Sequence, residues 1–134
     1  MPRQRNQLKT YNISKHRYME LYHYCMQYNE WKEELQNIED GLRSPSEGQT
    51  TAGSSKSDIT ASLAIKRAEL SAKCKLIEQT AEETDKMLKD YILAAATNEG
   101  YTYNYLSTVK GMPCGHNLYY KLRKKFYYLL SWKI

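Results

Sequence analysis

The stretch that decides the fold is residues 101–134, YTYNYLSTVKGMPCGHNLYYKLRKKFYYLLSWKI. Apolar residues recur at helical spacing on both sides of a breaker cluster, Gly-Met-Pro-Cys-Gly at 111–115. We therefore predict a short helix over 103–110 and a longer one from Gly115 to about Trp132. The longer helix has a predicted core stripe of Leu118, Leu122, Phe126, Leu129 and Leu130. This arrangement is typical of a C-terminal helix–turn–helix.

Two long helical patterns precede this stretch. Ser14 is the predicted N-cap of a helix that runs to about Asp40, and Asp58 or Thr60 is predicted to cap a second helix that runs to about Glu83. Between them, residues 44–58 carry no large apolar side chain, which predicts a flexible loop. Two long helices joined by a loop bury their apolar stripes most readily against each other, so we predict an antiparallel helical hairpin.

A third helix, capped by Thr84 or Asp85, is predicted over about 86–98, and no period-two run is long enough for a strand. The predicted fold class is therefore all-α: a long antiparallel helical hairpin followed by a helix–turn–helix. The predicted organisation is a basic flexible arm at 1–13, the hairpin at 14–84 with its loop at 44–58, and a helix–turn–helix domain at 85–134.

Charge is distributed unevenly along the 134 residues. The net charge of +5 is the sum of two positive ends and a negative middle. Residues 1–17 carry five basic and no acidic side chains, residues 101–134 carry six basic and no acidic ones, and residues 18–100 carry all 15 acids. This pattern indicates a polyanionic partner, with double-stranded DNA as the leading candidate.

The predicted last helix carries polar and basic residues opposite its Leu/Phe stripe. A recognition helix in a major groove reads base edges with its N-terminal residues and holds phosphates with its flanks. The candidates for base reading are His116, Asn117, Tyr120 and Lys121, and Tyr127 is predicted on the same outer face. The candidates for backbone contact are Arg123, Lys124, Lys125 and Lys110, with Arg3 and Arg5 of the arm. The alternatives are a basic face that is solvated or binds a protein partner and, for the arm, a simple disordered tail.

Several classes of protein find no support in the sequence. The three cysteines and three histidines form no C-x-x-C or H-x-x-x-H pair, so we expect no metal site, no cofactor and a reducing cytoplasm. Adjacent glutamates point in different directions on a helix, so no carboxylate dyad is predicted, and we do not expect an enzyme. No apolar run approaches the about 20 residues that cross a bilayer, so no membrane partner is expected.

Three patches carry a resemblance to a known family. The first runs from Arg17-Tyr18 to Leu35 and ends in YNEWKEEL at 28–35, the second is SDITASLAIKRAEL at 57–70, and the third is GMPCGHNLYYKLRKKFY at 111–127. In this order and spacing they resemble the ArpU/RinA-type late-operon transcription regulators of phages that infect Gram-positive bacteria. The resemblance implies a helix–turn–helix similar to region 4 of sigma factors, with its turn at 112–115 and its reading helix beginning near His116. It also implies a bacterial cytoplasmic location.

The leading hypothesis is thus a phage-derived transcription regulator that reads promoter DNA and also contacts RNA polymerase. A second hypothesis is a phage anti-defence protein of the anti-CRISPR type that inhibits a host nucleoprotein such as a nuclease. A third is the small DNA-recognition subunit of a packaging terminase, which pairs a helix–turn–helix with an oligomerising hairpin. The hairpin is predicted to act as a scaffold, and a homodimer formed through it is the alternative.

Overall fold

The computed structural model describes residues 11–43 and 53–134, and all of their side chains except those at 43 and 53–57. This part of the chain forms helices and contains no strand, which confirms the predicted all-α class. Its six helices are α1 (Lys15–Met26), α2 (Tyr28–Arg43), α3 (Gly53–Thr84), α4 (Lys89–Thr97), α5 (Tyr103–Thr108) and α6 (His116–Ser131). The antiparallel hairpin and the helix–turn–helix stay predictions.

Some predicted segments lie outside the described residues. They include most of the basic arm at 1–13, with Arg3 and Arg5, and residues 44–52 of the predicted loop. The remainder of that loop is wrongly predicted, since α3 begins at Gly53 rather than at Asp58 or Thr60. Residues 53–57 have no apolar stripe in the sequence, so apolar spacing could not predict this first part of α3.

The predicted helix from Ser14 to Asp40 is two helices. Its start is as predicted, because the Ser14 hydroxyl oxygen accepts a hydrogen bond from the Arg17 N–H at 3.1 Å. It ends early, at Gln27, whose N–H donates to the carbonyl of Tyr24, three residues back, at 3.2 Å. A tight last turn of this kind commonly closes a helix, and no Gly or Pro marks it in the sequence.

One compact unit of the chain contains α1, the last part of α3 from Leu76, and α4 to α6. Within it α1, α4 and α6 pack against one another. Its centre consists of Leu21, Ile77, Leu106, Phe126 and Leu130, which are almost fully buried. Each such side chain contributes about 1.5–3 kcal/mol through burial, so this core fixes the positions of α1 and α6.

Three buried threonines of this unit satisfy their hydroxyl groups locally. The hydroxyls of Thr80, Thr84 and Thr97 each donate to the carbonyl four residues earlier, at 2.6, 2.7 and 2.7 Å. A buried hydroxyl without a partner would destabilise the fold, and this back-bonding avoids that cost.

The second compact unit contains α2 and the part of α3 up to Lys75. Trp31, Ile38 and Leu70 are buried in it. The Lys73 ammonium lies 5.1 Å from the centre of the Trp31 ring, and an ion pair of 3.2 Å joins Lys66 to Glu34. These contacts place the beginning of α2 beside the later turns of this part of α3.

No helix in the described ranges is long and apolar enough to cross a membrane.

Two side-chain caps order the segment between α3 and α5. Asp85, one of the two predicted caps, accepts hydrogen bonds from the N–H groups of Met87 and Leu88 at 2.9 and 3.0 Å. The Thr102 hydroxyl oxygen accepts from the Tyr105 N–H at 3.2 Å and so caps α5. Asp85 therefore orders a turn before α4, whereas α4 itself begins at Lys89 with Leu88 as its N-cap and without a side-chain cap, so the prediction that Thr84 or Asp85 caps a helix from about 86 is wrong. Only α5 begins with a side-chain oxygen on amides that the helix itself leaves without partners.

The connection from α5 to α6 runs over residues 109–115. Gly111 has a φ of +72°, a conformation that a side chain would strain, and it lets the chain reverse after α5. Met112 then returns into the core, and its N–H donates to the Leu106 carbonyl at 2.9 Å. The Tyr103 hydroxyl donates to the Cys114 carbonyl at 3.0 Å, which holds the end of the turn beside α5.

The core face of α6 differs in part from the predicted stripe. Leu122, Phe126 and Leu130 are buried as expected, whereas Leu118 is 43% exposed and Tyr119 is only 5% exposed. The two residues are adjacent, so their side chains point about 100° apart on the helix. The face that meets the core at this end of α6 therefore passes through Tyr119.

Candidate nucleic-acid interface

The predicted base-reading residues occupy the N-terminal end of α6. α6 begins at His116, with Gly115 as its N-cap, so no side chain caps its first amides. His116, Asn117, Tyr120 and Lys121 are all exposed. The predicted base-reading residues therefore lie together on the outer side of one helix end.

Aromatic contacts fix the orientation of two of these residues. The His116 ring lies edge-on to the Tyr103 and Tyr120 rings, with centroid distances of 5.5 and 4.6 Å. Tyr119, one position before Tyr120, packs against both tyrosines, at 5.6 and 4.9 Å. Ring pairs of this geometry add about 0.5–1.5 kcal/mol each beyond simple burial. The imidazole therefore belongs to an ordered aromatic cluster.

The cations predicted for phosphate contact fall into two groups. Lys124 is exposed and Lys125 is half-buried. Arg123 is exposed as well, but its guanidinium lies 5.0 Å from the centre of the Tyr120 ring and 5.8 Å from that of Tyr18. A guanidinium between two rings is held by cation–π attraction and retains its charge. Arg123 therefore connects α6 to α1, while Lys124 and Lys125 do not.

Lys110 comes from the turn rather than from α6. Its ammonium lies 5.8 and 6.0 Å from the ring centres of Tyr101 and Tyr105, and these two rings pack on each other at 4.6 Å. Lys110 is exposed in spite of these contacts. It is thus anchored at the side of the α5–α6 connection, where its charge stays available to solvent.

In the described part of the chain, some cations have carboxylate partners that the lysines of α6 lack. Lys89 pairs with Glu82 at 3.2 Å and Lys133 with Glu83 at 2.7 Å. By contrast, no carboxylate of the described residues pairs with Lys121, Lys124 or Lys125. The positive charge of α6 is therefore not neutralised within this part of the chain.

Arg17, which belongs to the basic N-terminal end, is bound within the fold. Its guanidinium donates to Glu20 at 2.7 Å, to the Ser131 carbonyl at 2.9 Å and to the carbonyl of Ile134. These bonds tie the first turn of α1 to the end of α6. Arg17 therefore supports the position of α6, with three of its five guanidinium N–H donors bound within the fold.

Tyr127 does not lie on the outer face of α6, contrary to the prediction. It is 3% exposed, although it is seven residues, close to two helical turns, from exposed Tyr120. The Tyr18 ring of α1 covers it, with a centroid distance of 4.8 Å. Burial raises the pKa of the Tyr127 hydroxyl well above its usual range, so this group stays neutral. The nearby Cys25 thiol, also buried, adds to the rise.

A tyrosine cavity of about 200 Å³ opens between α1, α4 and α6. We define it by its seven tyrosines, Tyr18, Tyr22, Tyr101, Tyr103, Tyr119, Tyr120 and Tyr127, with Arg123 at their side. The other lining residues are mostly small or apolar, such as Ile92 and Ala96. Burial raises the pKa of the Tyr119 hydroxyl, and the neighbouring Arg123 guanidinium offsets part of that rise. At neutral pH the Tyr119 hydroxyl is therefore an uncharged hydrogen-bonding group.

A basic groove of about 470 Å³ adjoins this cavity. It is lined by Tyr11, Ile13, Lys15, Lys124 and four residues shared with the tyrosine cavity, namely Tyr18, Tyr120, Arg123 and Tyr127. Three of these side chains are cationic, and no acidic residue of the described chain lines the groove. Arg123 stands in the wall between the two spaces.

Sequence reasoning missed the contributions of α1 to this region. Lys15, Tyr18 and Tyr22 lie about 100 residues before α6 in the sequence and meet it only in the folded chain. The sequence around them shows no more than one apolar position of a helical stripe, and such a position does not reveal which helix it packs against. The available signal was the density of tyrosines in both segments. Among the described residues, no three His, Cys, Asp or Glu side chains come together in a way that could hold a metal ion.

No family model, curated protein or solved structure matches the chain.

Proposed function

We propose that this protein binds duplex DNA through α6 and acts as a DNA-binding regulator. The observation that carries the proposal is the set of three lysines on α6, Lys121, Lys124 and Lys125, that have no carboxylate partner within the described chain. Cations without internal partners are the groups that displace counterions from a phosphate backbone. Paired cations such as Lys89 and Lys133 would have to give up an existing ion pair first.

The beginning of α6 supports contact with base edges. Asn117 and His116 stand in the first turn, where a recognition helix approaches a major groove. The Asn117 amide can bond to adenine through one donor and one acceptor, and the uncapped amides of this turn favour a phosphate oxygen. At 16 residues, α6 is about 24 Å long, which is enough to present its first turns to a groove while its end stays in the core.

Within this proposal the lysines contact the phosphates of the duplex, and Arg123 stays between the two tyrosine rings. Because Arg123 is held between the Tyr18 and Tyr120 rings, moving it to a phosphate would cost those cation–π contacts. Lys121 and Lys124 carry no such cost. We therefore expect the lysines to dominate the salt dependence of duplex binding.

The wider function as a promoter regulator rests on the resemblance of the three sequence patches to phage late-operon regulators. In that proposal α5 and α6 are the two helices of a helix–turn–helix, and RNA polymerase is a further partner. The seven residues that connect them are more than the three or four of a usual helix–turn–helix. DNA binding by α6 does not depend on the shorter connection.

The test compares two double variants in binding to a fluorescently labelled 20-base-pair duplex, followed by anisotropy over a range of salt concentrations. Lys121→Ala/Lys124→Ala removes two of the unpaired charges. Lys75→Ala/Lys86→Ala is the matched control, because it removes two exposed lysines outside α6 and leaves the same net charge.

We expect the first variant to bind more weakly, with a log–log salt slope less steep by about 1.8, since each phosphate contact contributes about 0.9. The control should keep the slope of the unmodified protein. Equal slopes for both variants would show that only the net charge of the protein matters and not its position, and they would refute the assignment to α6. An absence of binding at low salt would refute DNA binding itself.

A further inference from the structure

The tyrosine cavity and the basic groove differ in chemistry although they share a wall. The cavity is built of rings, with the Tyr103, Tyr119 and Tyr120 side chains packed edge-on or tilted against one another. The groove carries the cations Lys15 and Lys124. Arg123, between the two, faces both. A ligand that filled both would need a flat apolar part next to an anionic part.

Size limits the part that enters the cavity. Pockets that hold drug-sized ligands measure about 300–1,000 Å³, and this cavity is about 200 Å³. It can therefore take a group of one or two fused rings and little more. Rings that meet a flat ligand face-on or edge-on favour an aromatic group over an aliphatic one of the same volume.

Charge excludes the other usual occupant of an aromatic cage. Rings alone also attract organic cations such as quaternary ammonium groups. Here the Arg123 guanidinium already lies against the faces of Tyr18 and Tyr120, and no acidic side chain of the described chain lines the cavity to offset a second positive charge. The same guanidinium attracts an anion. The ligand is thus neutral at its ring and negative beside it.

We propose that the cavity and the groove together bind one nucleotide unit, with its base among the tyrosines and its phosphate against Lys15, Lys124 and Arg123. This deepens the proposed function and rests on it only in taking the nucleotide from a nucleic-acid strand, as a base that has left its stack. A free nucleotide has the same chemistry, so the experiment separates the two sources.

The experiment is isothermal titration calorimetry of the full chain at low ionic strength. The probes are thymidine monophosphate, deoxyadenosine monophosphate, thymidine, inorganic phosphate and the trinucleotide TpTpT. Both monophosphates should bind, and thymidine and inorganic phosphate should each bind more weakly. Tighter binding of TpTpT than of thymidine monophosphate would identify a strand as the source, and equal or weaker binding would identify the free nucleotide. Inorganic phosphate that binds as tightly as the monophosphates would overturn the proposal.

Two variants and a control locate the site. Tyr22→Ala removes a ring of the cavity from α1, and loss of a stacking ring weakens binding by about fivefold or more. Arg123→Gln removes the charge and leaves a shorter polar side chain, and it should weaken monophosphate binding by about tenfold while changing thymidine binding little. Tyr91→Ala is the matched control, a half-buried tyrosine that lines neither space. Equal effects of Tyr22→Ala and Tyr91→Ala, with both variants folded by circular dichroism, would overturn the proposal.

The two proposals fail in different ways. Monophosphate binding without any duplex binding would leave the nucleotide site standing and remove the proposed DNA-binding function. Duplex binding with the expected salt slope, but no heat with any monophosphate or with TpTpT, would overturn the nucleotide site alone.

Discussion

Replacing Leu118 and Leu122 separately by Ala tests where the core face of α6 lies. The two residues are one turn apart on the same helix, and the chemical change is the same. Leu122 is 8% exposed, whereas Leu118 is 43% exposed. The apolar spacing in the sequence places both in one stripe, so the sequence predicts similar effects and the structure predicts different ones.

The expected magnitudes follow from burial. A buried Leu→Ala change costs about 2–5 kcal/mol, because it loses transfer free energy and leaves a cavity. Leu118→Ala leaves no enclosed cavity and loses roughly half as much buried area as Leu122→Ala. The better helix propensity of Ala also offsets a few tenths of a kcal/mol. We therefore expect a loss of about 3 kcal/mol for Leu122→Ala and of less than about 1 kcal/mol for Leu118→Ala.

The assay is thermal and urea unfolding followed by circular dichroism. A loss of about 3 kcal/mol lowers the melting temperature of a unit of this size by roughly 12–24 °C, which is well above the error of the measurement. Equal destabilisation by the two changes would refute the placement of α6. The assignment of Tyr119 to the core, and with it the tyrosine cavity, would then be wrong.

Three further predictions concern the caps and the thiols. Burial raises the pKa of Cys25 from 9.0 to about 12, so its contribution to stability is complete below about pH 9 and is lost as the pH rises to 12. The urea midpoint should therefore fall over that range, and less so in Cys25→Ala; an unchanged pH profile would contradict this. Asp85→Ala should cost about 1 kcal/mol, because Met87 and Leu88 lose their capping oxygen, while Asp85→Asn should retain most of the stability in urea unfolding. Burial first, and then the Asp85 charge, raise the pKa of Cys114, so Asp85→Asn should also speed its alkylation by iodoacetamide at pH 8, and an unchanged rate would contradict that coupling.

The sequence predicted the class of the fold and the start of α6 because both follow from local patterns. Spacing of apolar residues at three and four marks a helix wherever it occurs, and a Gly/Pro cluster such as 111–115 ends one. The same periodicity could not place the core face within 100°, because Tyr119 and Leu118 are both apolar enough to be buried. Which of them is buried depends on the helices that pack against α6.

Parts of the candidate site could not be predicted from local sequence patterns either, because they also depend on contacts between distant helices. Tyr127 repeats the face of Tyr120 after seven residues, and it is buried because Tyr18 of α1 covers that end of the helix. One of the two ring partners of Arg123, Tyr18, is likewise more than 100 positions away. Charge counts along the chain found the basic residues, and only the packing separated Arg123 from the lysines.

The most direct test of the account is a titration of ¹⁵N-labelled protein with a 20-base-pair duplex, followed by amide chemical shifts at low salt. We predict that the largest shifts occur at His116, Asn117 and residues 121–125, and that the amides of α2 stay unperturbed. Shifts concentrated away from the first half of α6, or no shift at all at low salt, would contradict the claim that this helix is the nucleic-acid interface.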